Sequence, residues 1–142
     1  MKITLAGTGV CPGDISVRAL SEAKSGKKVI LRTALSETAK WLKNNGVDFS
    51  SLDFVYEKSR NFDTLAKNLA KEVLNAAKTQ DVVYLVDGDV SEDVSCSVIR
   101  SKRKDAEVIP CVPKSAYFMD KSNISSPYLG VSAYDIRSVS LS

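Results

Sequence analysis

Apolar residues recur along the chain in two alternating rhythms, short unbroken runs and longer stretches with a helical period. The first run, Ile3 to Ala6, is broken by Gly7-x-Gly9 and then Pro12-Gly13. A short apolar run bounded by turn residues predicts a strand. Glycines after it allow positive φ and close approach of another molecule to the backbone. Asp14 stands where a carboxylate can accept from the free N–H groups of a helix start. That helix is expected from about Asp14 to Lys24, burying Val17, Leu20 and Ala23, with Gly26 as its stop. A second strand, Lys28 to Leu31, leads to Arg32-Thr33. Ser36 then caps a helix carrying Ala39, Trp41 and Leu42, which ends at Asn45-Gly46 with Val47 placed for an apolar closing contact.

A short strand near Leu52 to Val55 is expected to lead into Tyr56-Glu57-Lys58. The clearest helical stripe follows: Phe62, Leu65, Ala66, Leu69, Ala70, Val73, Leu74 and Ala77, with Asn61 as cap and Lys67, Lys71 and Lys78 on the opposite face. Val82 to Val86 is wholly apolar, the signature of a strand covered on both faces. It ends in Asp87-Gly88-Asp89. Ser91 is expected to cap the next helix, with Glu92 and Asp93 in its first turn and Val94, Val98 and Ile99 inward. A fifth strand, Ala106 to Ile109, meets Pro110-Cys111-Val112-Pro113, and a short helix follows around Ser115 to Asp120. Residues 122–142 are serine-rich and polar apart from Tyr128-Leu129 and Val131, and their end is compatible with a strand.

Strands alternating with helices predict an α/β fold, a three-layer single domain with a mainly parallel sheet of about five strands. In such a sheet ligands bind outside the carboxyl ends of the strands. Those ends are Gly7 to Gly13, Arg32-Thr33, Tyr56-Glu57-Lys58, Asp87-Gly88-Asp89 and Pro110 to Lys114.

The 142-residue chain is 44% hydrophobic and 26% charged, with a net charge of +3, ordinary values for one globular domain. So small a net charge gives no argument for nucleic acid. The basic run Arg100-Ser101-Lys102-Arg103-Lys104 is readable as an electrostatic patch or as cations at a helix end. No stretch approaches the ~20 apolar residues of a membrane span. The N-terminal run breaks at Gly7, too soon for a signal peptide. Cys11, Cys96 and Cys111 are odd in number and far apart, which fits reduced thiols in a cytoplasm.

Histidine is absent. Nucleophile pairs and zinc sets built on imidazole are therefore excluded, and chemistry must rest on positioning, carboxylates, lysines or a cofactor. Gly7-x-Gly9 departs from a dinucleotide fingerprint, because Pro12 follows, Gly13 comes one position late, and Arg32 replaces the acidic ribose partner. The Gly-Lys-Ser/Thr phosphate loop is missing, and so are the acidic residues of a phosphoacceptor receiver. Asp87-Gly88-Asp89 could ligate Mg²⁺, act as an acid–base pair or accept from a ligand's hydroxyls or ammonium. On residue chemistry alone, a turn that simply favours Asp and Gly is the better account.

The strand, Gly-x-Gly, Pro-Gly-Asp and helix of Leu5 to Leu20 resemble the start of the tetrapyrrole (corrin/porphyrin) methylases, S-adenosylmethionine-dependent enzymes. Three further stretches, Leu31-Arg32-Thr33, Phe49 to Lys58 and Asp81-Val82-Val83-Tyr84, resemble the methylase-like domain fused ahead of MazG-type nucleotide pyrophosphohydrolases. The likeness runs from Met1 to about Ile136. It implies residues 1–121 as the N-terminal α/β domain and 122–142 as a tail crossing toward a second domain.

By that resemblance Val10, Gly88, Asp89, Pro113 and Lys114 contact S-adenosylmethionine. Gly7, Gly9, Gly13, Asp14, Arg32, Tyr56 and Glu57 then line the substrate cleft. No catalytic side chain and no metal ligand is implied. The implied partners are a small-molecule substrate such as a tetrapyrrole, a second copy in a homodimer and a downstream MazG-type domain. Four departures fall in the cleft. Val90 stands where proline is usual, Cys111 and Pro113 replace small residues, Val10-Cys11 lengthens the first loop, and Arg32-Thr33 lacks a following His-Pro pair. They motivate an alternative expectation, a non-catalytic binding or regulatory domain.

Overall fold

The computed structural model describes residues 1–121, and the expectations for 122–142 lie outside the described residues. Five strands form one sheet: β1 (Ile3–Gly7), β2 (Lys28–Leu31), β3 (Ser50–Ser51), β4 (Val82–Val86) and β5 (Glu107–Ile109). Their spatial order is β3-β2-β4-β1-β5, and every pairing is parallel. The helices are α1 (Val17–Ala23), α2 (Glu37–Asn44), α3 (Asp53–Lys58), α4 (Phe62–Ala76), α5 (Val94–Lys102) and α6 (Lys114–Lys121).

Alternation along the strands fills two cores, one on each face of the sheet. Ile3, Leu5, Ile30, Val82, Tyr84 and Val86 pack under Val55, Leu65, Leu69, Val73, Cys96 and Ile99 of α3, α4 and α5. Ala6, Val29, Leu31, Val83, Leu85 and Ile109 pack under Ala19, Ala23, Ala39 and Leu42 of α1 and α2. Every residue of β4 is buried, as its unbroken apolar run predicts. Two helix ends also follow the sequence. The Asn61 side chain accepts from the Thr64 amide at 2.8 Å to start α4. Past α2, the Val47 amide donates to the Leu42 carbonyl at 3.0 Å and the Gly46 amide to that of Lys43 at 3.2 Å, a Schellman closure.

Three local expectations are corrected. Helix α1 begins later than Asp14: Ser16 caps it through the Ala19 amide at 3.1 Å, and Val17 is 86% exposed. The Asp14 carboxylate instead turns back to the Val10 and Cys11 amides at 3.1 and 2.8 Å. Leu52 to Val55 is no strand. β3 ends at Ser51 and Asp53 opens α3, so Tyr56 and Glu57 lie on a helix. The Asp53 carboxylate fixes this turn by accepting from the Thr33 hydroxyl at 2.6 Å and the Ala34 amide at 2.9 Å. Ser91 does not cap α5. Asp89 caps a 3₁₀ turn at Val90–Glu92, and Asp93 caps α5 through the Cys96 amide at 3.0 Å, leaving Val94 exposed. Phe62 and Val94 thus stay outside the cores that the periodicity assigns them to. No helix among the described residues is long and apolar enough to cross a membrane.

Candidate functional site: the carboxyl rim of the sheet

Because β4, β1 and β5 are neighbours and parallel, the turns leaving them emerge side by side. Backbone and side chains then lock them together. Gly9 and Gly88 form an antiparallel bridge, the Gly9 amide donating to the Gly88 carbonyl at 3.1 Å and the Gly88 amide to that of Gly9 at 2.8 Å. Side chains cannot be added here. A Cβ on Gly7 would lie 2.3 Å from the Gly88 carbonyl oxygen, and one on Gly9 would lie 2.3 Å from Cβ of Asp14. The Asp89 carboxylate accepts from the Cys111 amide at 2.9 Å, joining the β4 and β5 turns, and also from the Ser91 hydroxyl and amide. The Cys111 thiol donates to the Asp14 carbonyl at 3.1 Å, joining β5 to the first loop.

Burial raises the Asp89 pKa, but the Ser91 hydroxyl and the Cys111, Ser91 and Val90 amides outweigh it and hold the group below the ordinary carboxylate value. Its oxygens are occupied within the protein, so Asp89 acts as a clamp between two turns. Burial pushes the Cys111 thiol up, away from thiolate reactivity.

A cleft of about 310 Å³ opens beside this junction, lined by Gly9, Val10, Ser36, Glu37, Thr38, Asp87 and Lys114. Of the residues singled out in the sequence, Gly9, Val10, Asp87 and Lys114 meet there. Gly7, Asp14, Gly88 and Asp89 build the wall behind. The face of Gly88 is covered: a Cβ there would lie 2.8 Å from a Glu92 carboxylate oxygen and 3.1 Å from Cγ of Lys114. The same carboxylate accepts from the Lys114 and Ser115 amides at 2.7 and 3.3 Å, satisfying the first free N–H groups of α6. Pro113 precedes that helix, and its carbonyl accepts from Ala116 at 3.1 Å. Gly13 (φ +91°) lies in open space at the loop tip.

Arg32 sits one strand over, at the end of β2, where it pairs with Asp93 at 3.2 Å. Burial is the largest single influence and disfavours its charge, but Asp93, Tyr56, Tyr84 and Asp87 together outweigh it and raise its pKa. Beneath them the Tyr84 hydroxyl lies 2.9 Å from that of Ser95, which in turn donates to Asp93. Burial pushes the Tyr84 phenol well up, so it stays neutral. The Tyr56 ring lies 5.9 Å from the Arg32 guanidinium carbon, within cation–π range. Glu57 is exposed on the same helix. Asp93 and Glu92 were not singled out from the sequence as site residues. Two adjacent acids before a helical pattern are the signal that marks them.

The fold and this rim define a class, an all-parallel α/β domain with a cleft at the strand ends. No family model matches the sequence, and no curated protein matches it. Solved structures do. Uroporphyrin III C-methyltransferase from Thermus thermophilus aligns with 86% of this chain at 16% identity and TM-score 0.59. Precorrin-6Y methylase (CbiE) from Archaeoglobus fulgidus aligns with 87% at 16% identity and TM-score 0.62. A putative cobalamin synthesis related protein (CobF) from Corynebacterium diphtheriae aligns with 92% at 18% identity and TM-score 0.59. The Thermus enzyme is also known with S-adenosylhomocysteine bound. The chain therefore has the fold of a tetrapyrrole-methylase domain. It spans 48%, 59% and 61% of the lengths of those three proteins.

Proposed function

We propose that this chain supplies one wall of the cofactor and substrate cleft of an S-adenosylmethionine-dependent methyltransferase of the tetrapyrrole methylase type. The observation that carries the reading is the junction of the β1, β4 and β5 turns beside the 310 Å³ cleft. The shared fold supports it, as does the S-adenosylhomocysteine complex of the Thermus enzyme.

The cleft suits a zwitterionic ligand. Lys114 offers a cation for a carboxylate, Asp87 and Glu37 offer anions for an ammonium or sulfonium, and the Gly9-Val10 backbone allows close approach. Bound S-adenosylmethionine would supply an electrophilic methyl group to an acceptor aligned with it. The protein's task is then orientation, which needs no histidine and no metal. Arg32, held by Asp93 at the end of the neighbouring strand β2, is the residue this reading assigns to the acceptor. With the cleft shared with a second domain or a second copy, this chain alone is a poor catalyst.

Calorimetric titration with S-adenosylhomocysteine tests the reading. Saturable binding that Lys114→Glu weakens about tenfold, roughly 1.4 kcal/mol, is expected. Binding indifferent to that change, or none, would contradict it.

A second reading rests on Glu92, whose carboxylate covers Gly88 and the start of α6. A domain whose cofactor position is filled by its own acid would serve as a binding or regulatory module, for instance ahead of a MazG-type domain. It expects no S-adenosylhomocysteine binding, whatever second domain is attached.

A further inference from the structure

We propose that the exposed face of α5 carries a second site, for a small ligand bearing a diphosphate group, separate from the methylase-type cleft. A groove of about 500 Å³ runs along this helix from the β4 turn to the edge strand β5. That volume lies within the ~300–1,000 Å³ of small-molecule pockets. Its lining has a chemical order. Arg100 and Lys104 supply two cations and Ser97 and Ser101 two hydroxyls, while Val90 and Ala106 add a little apolar surface.

The cations are uncommitted. Among the described residues neither Arg100 nor Lys104 makes an ion pair, whereas Arg103 between them is held by Asp105 at 2.9 Å and by the Met1 carbonyl at 2.7 Å. The groove's one acid, Asp93, is buried and engaged with Arg32 and the cap of α5. The electrostatic balance of the accessible lining is therefore positive. Arg100 stands in the last turn of α5 and Lys104 two residues past its end, and both line the same groove. An arginine fork and a lysine point charge can then each take one phosphate. The four cations of the basic run thus divide into Arg103, satisfied within the chain, Lys102, outside the groove, and Arg100 and Lys104, which line it. Helix-end electrostatics would require no cavity.

Amide NMR of the 142-residue protein titrated with inorganic pyrophosphate, at fixed ionic strength, tests this. Saturable shifts confined to Ser97–Ala106 are expected. Arg100→Ala with Lys104→Ala should weaken the apparent affinity at least tenfold, while Lys102→Ala, in the same run but outside the groove lining, should leave it within about twofold. An equal response to chloride at matched ionic strength would overturn the site as diffuse charge screening. So would equal weakening by Lys102→Ala, or shifts centred on Gly9 and Lys114. S-adenosylhomocysteine binding should persist in the double variant, which separates failure of this site from failure of the cleft.

Discussion

Gly9 and Gly88 exchange a pair of backbone hydrogen bonds, at 3.1 and 2.8 Å, across the carboxyl ends of two adjacent parallel strands. Parallel strands do not continue pairing past their ends unless their turns fold toward each other. Glycine at both positions, with φ of +75° and +69°, permits that antiparallel contact. The rim is thereby a stitched surface with Asp89 and Cys111 extending it to β5.

The stitching makes Gly7 and Gly9 unequal to the glycines in open space. Gly7→Ala forces a methyl to 2.3 Å from a carbonyl oxygen that is itself held in place, and should cost about 1–3 kcal/mol. Gly46→Ala, at φ +83° in open space, should cost about 1 kcal/mol from the left-handed backbone alone. Urea denaturation of the two variants checks the order. Equal losses would mean that the rim can shift to admit a side chain.

Asp89 is expected to matter through the turns it joins. Asp89→Ala leaves the Cys111 amide without its partner and removes the cap of the 3₁₀ turn, for a loss of about 1–3 kcal/mol. Amide exchange should quicken at Cys111 and Ser91 while the core of α4 stays protected.

Acid should weaken the fold through two carboxylates. Asp53 and Asp89 both lie below their ordinary value of 3.8, because hydrogen bonds to the ionised forms outweigh burial. A group depressed in the folded state contributes stability fully above its unfolded pKa, about 3.9. That stability is lost as pH falls through the folded value. Stability measured from pH 5 to pH 2 should decline, and the decline should flatten in Asp53→Asn with Asp89→Asn.

The Arg32–Asp93 pair gives a double-mutant test. Arg32→Met leaves a buried carboxylate with only the Cys96 amide and the Ser95 hydroxyl, and should cost about 1–3 kcal/mol. Adding Asp93→Asn should recover part of that loss, since the uncompensated charge is then gone. Strict additivity would show that the pair is uncoupled.

Legibility in the sequence divides along one physical line. Val82 to Val86, the α4 stripe from Leu65 onward with its Asn61 cap, and the Asn45-Gly46-Val47 closure are local patterns whose meaning burial does not alter, and each stands in the structure. Asp14 against Ser16, and Ser91 against Asp93, are contests between two competent caps a few residues apart. They are decided by which loop amides also need a carboxylate. Leu52 to Val55 suits a strand or a helix equally, and Thr33 and Ala34, about 20 residues earlier, settle it by binding Asp53. At the rim, glycines and strand ends were readable. The covering of Gly88 by Glu92 was not, because it depends on where α6 starts in space.

The idea on which the functional reading stands is that the joined β1, β4 and β5 turns form a cofactor-binding wall. Mapping S-adenosylhomocysteine onto this chain by amide NMR examines it most directly. Saturable shifts clustered at Gly9, Val10, Asp87 and Lys114, with α5 beyond Cys96 unmoved, are the expected result. Absence of saturable shifts, or a cluster away from those four residues, would contradict it.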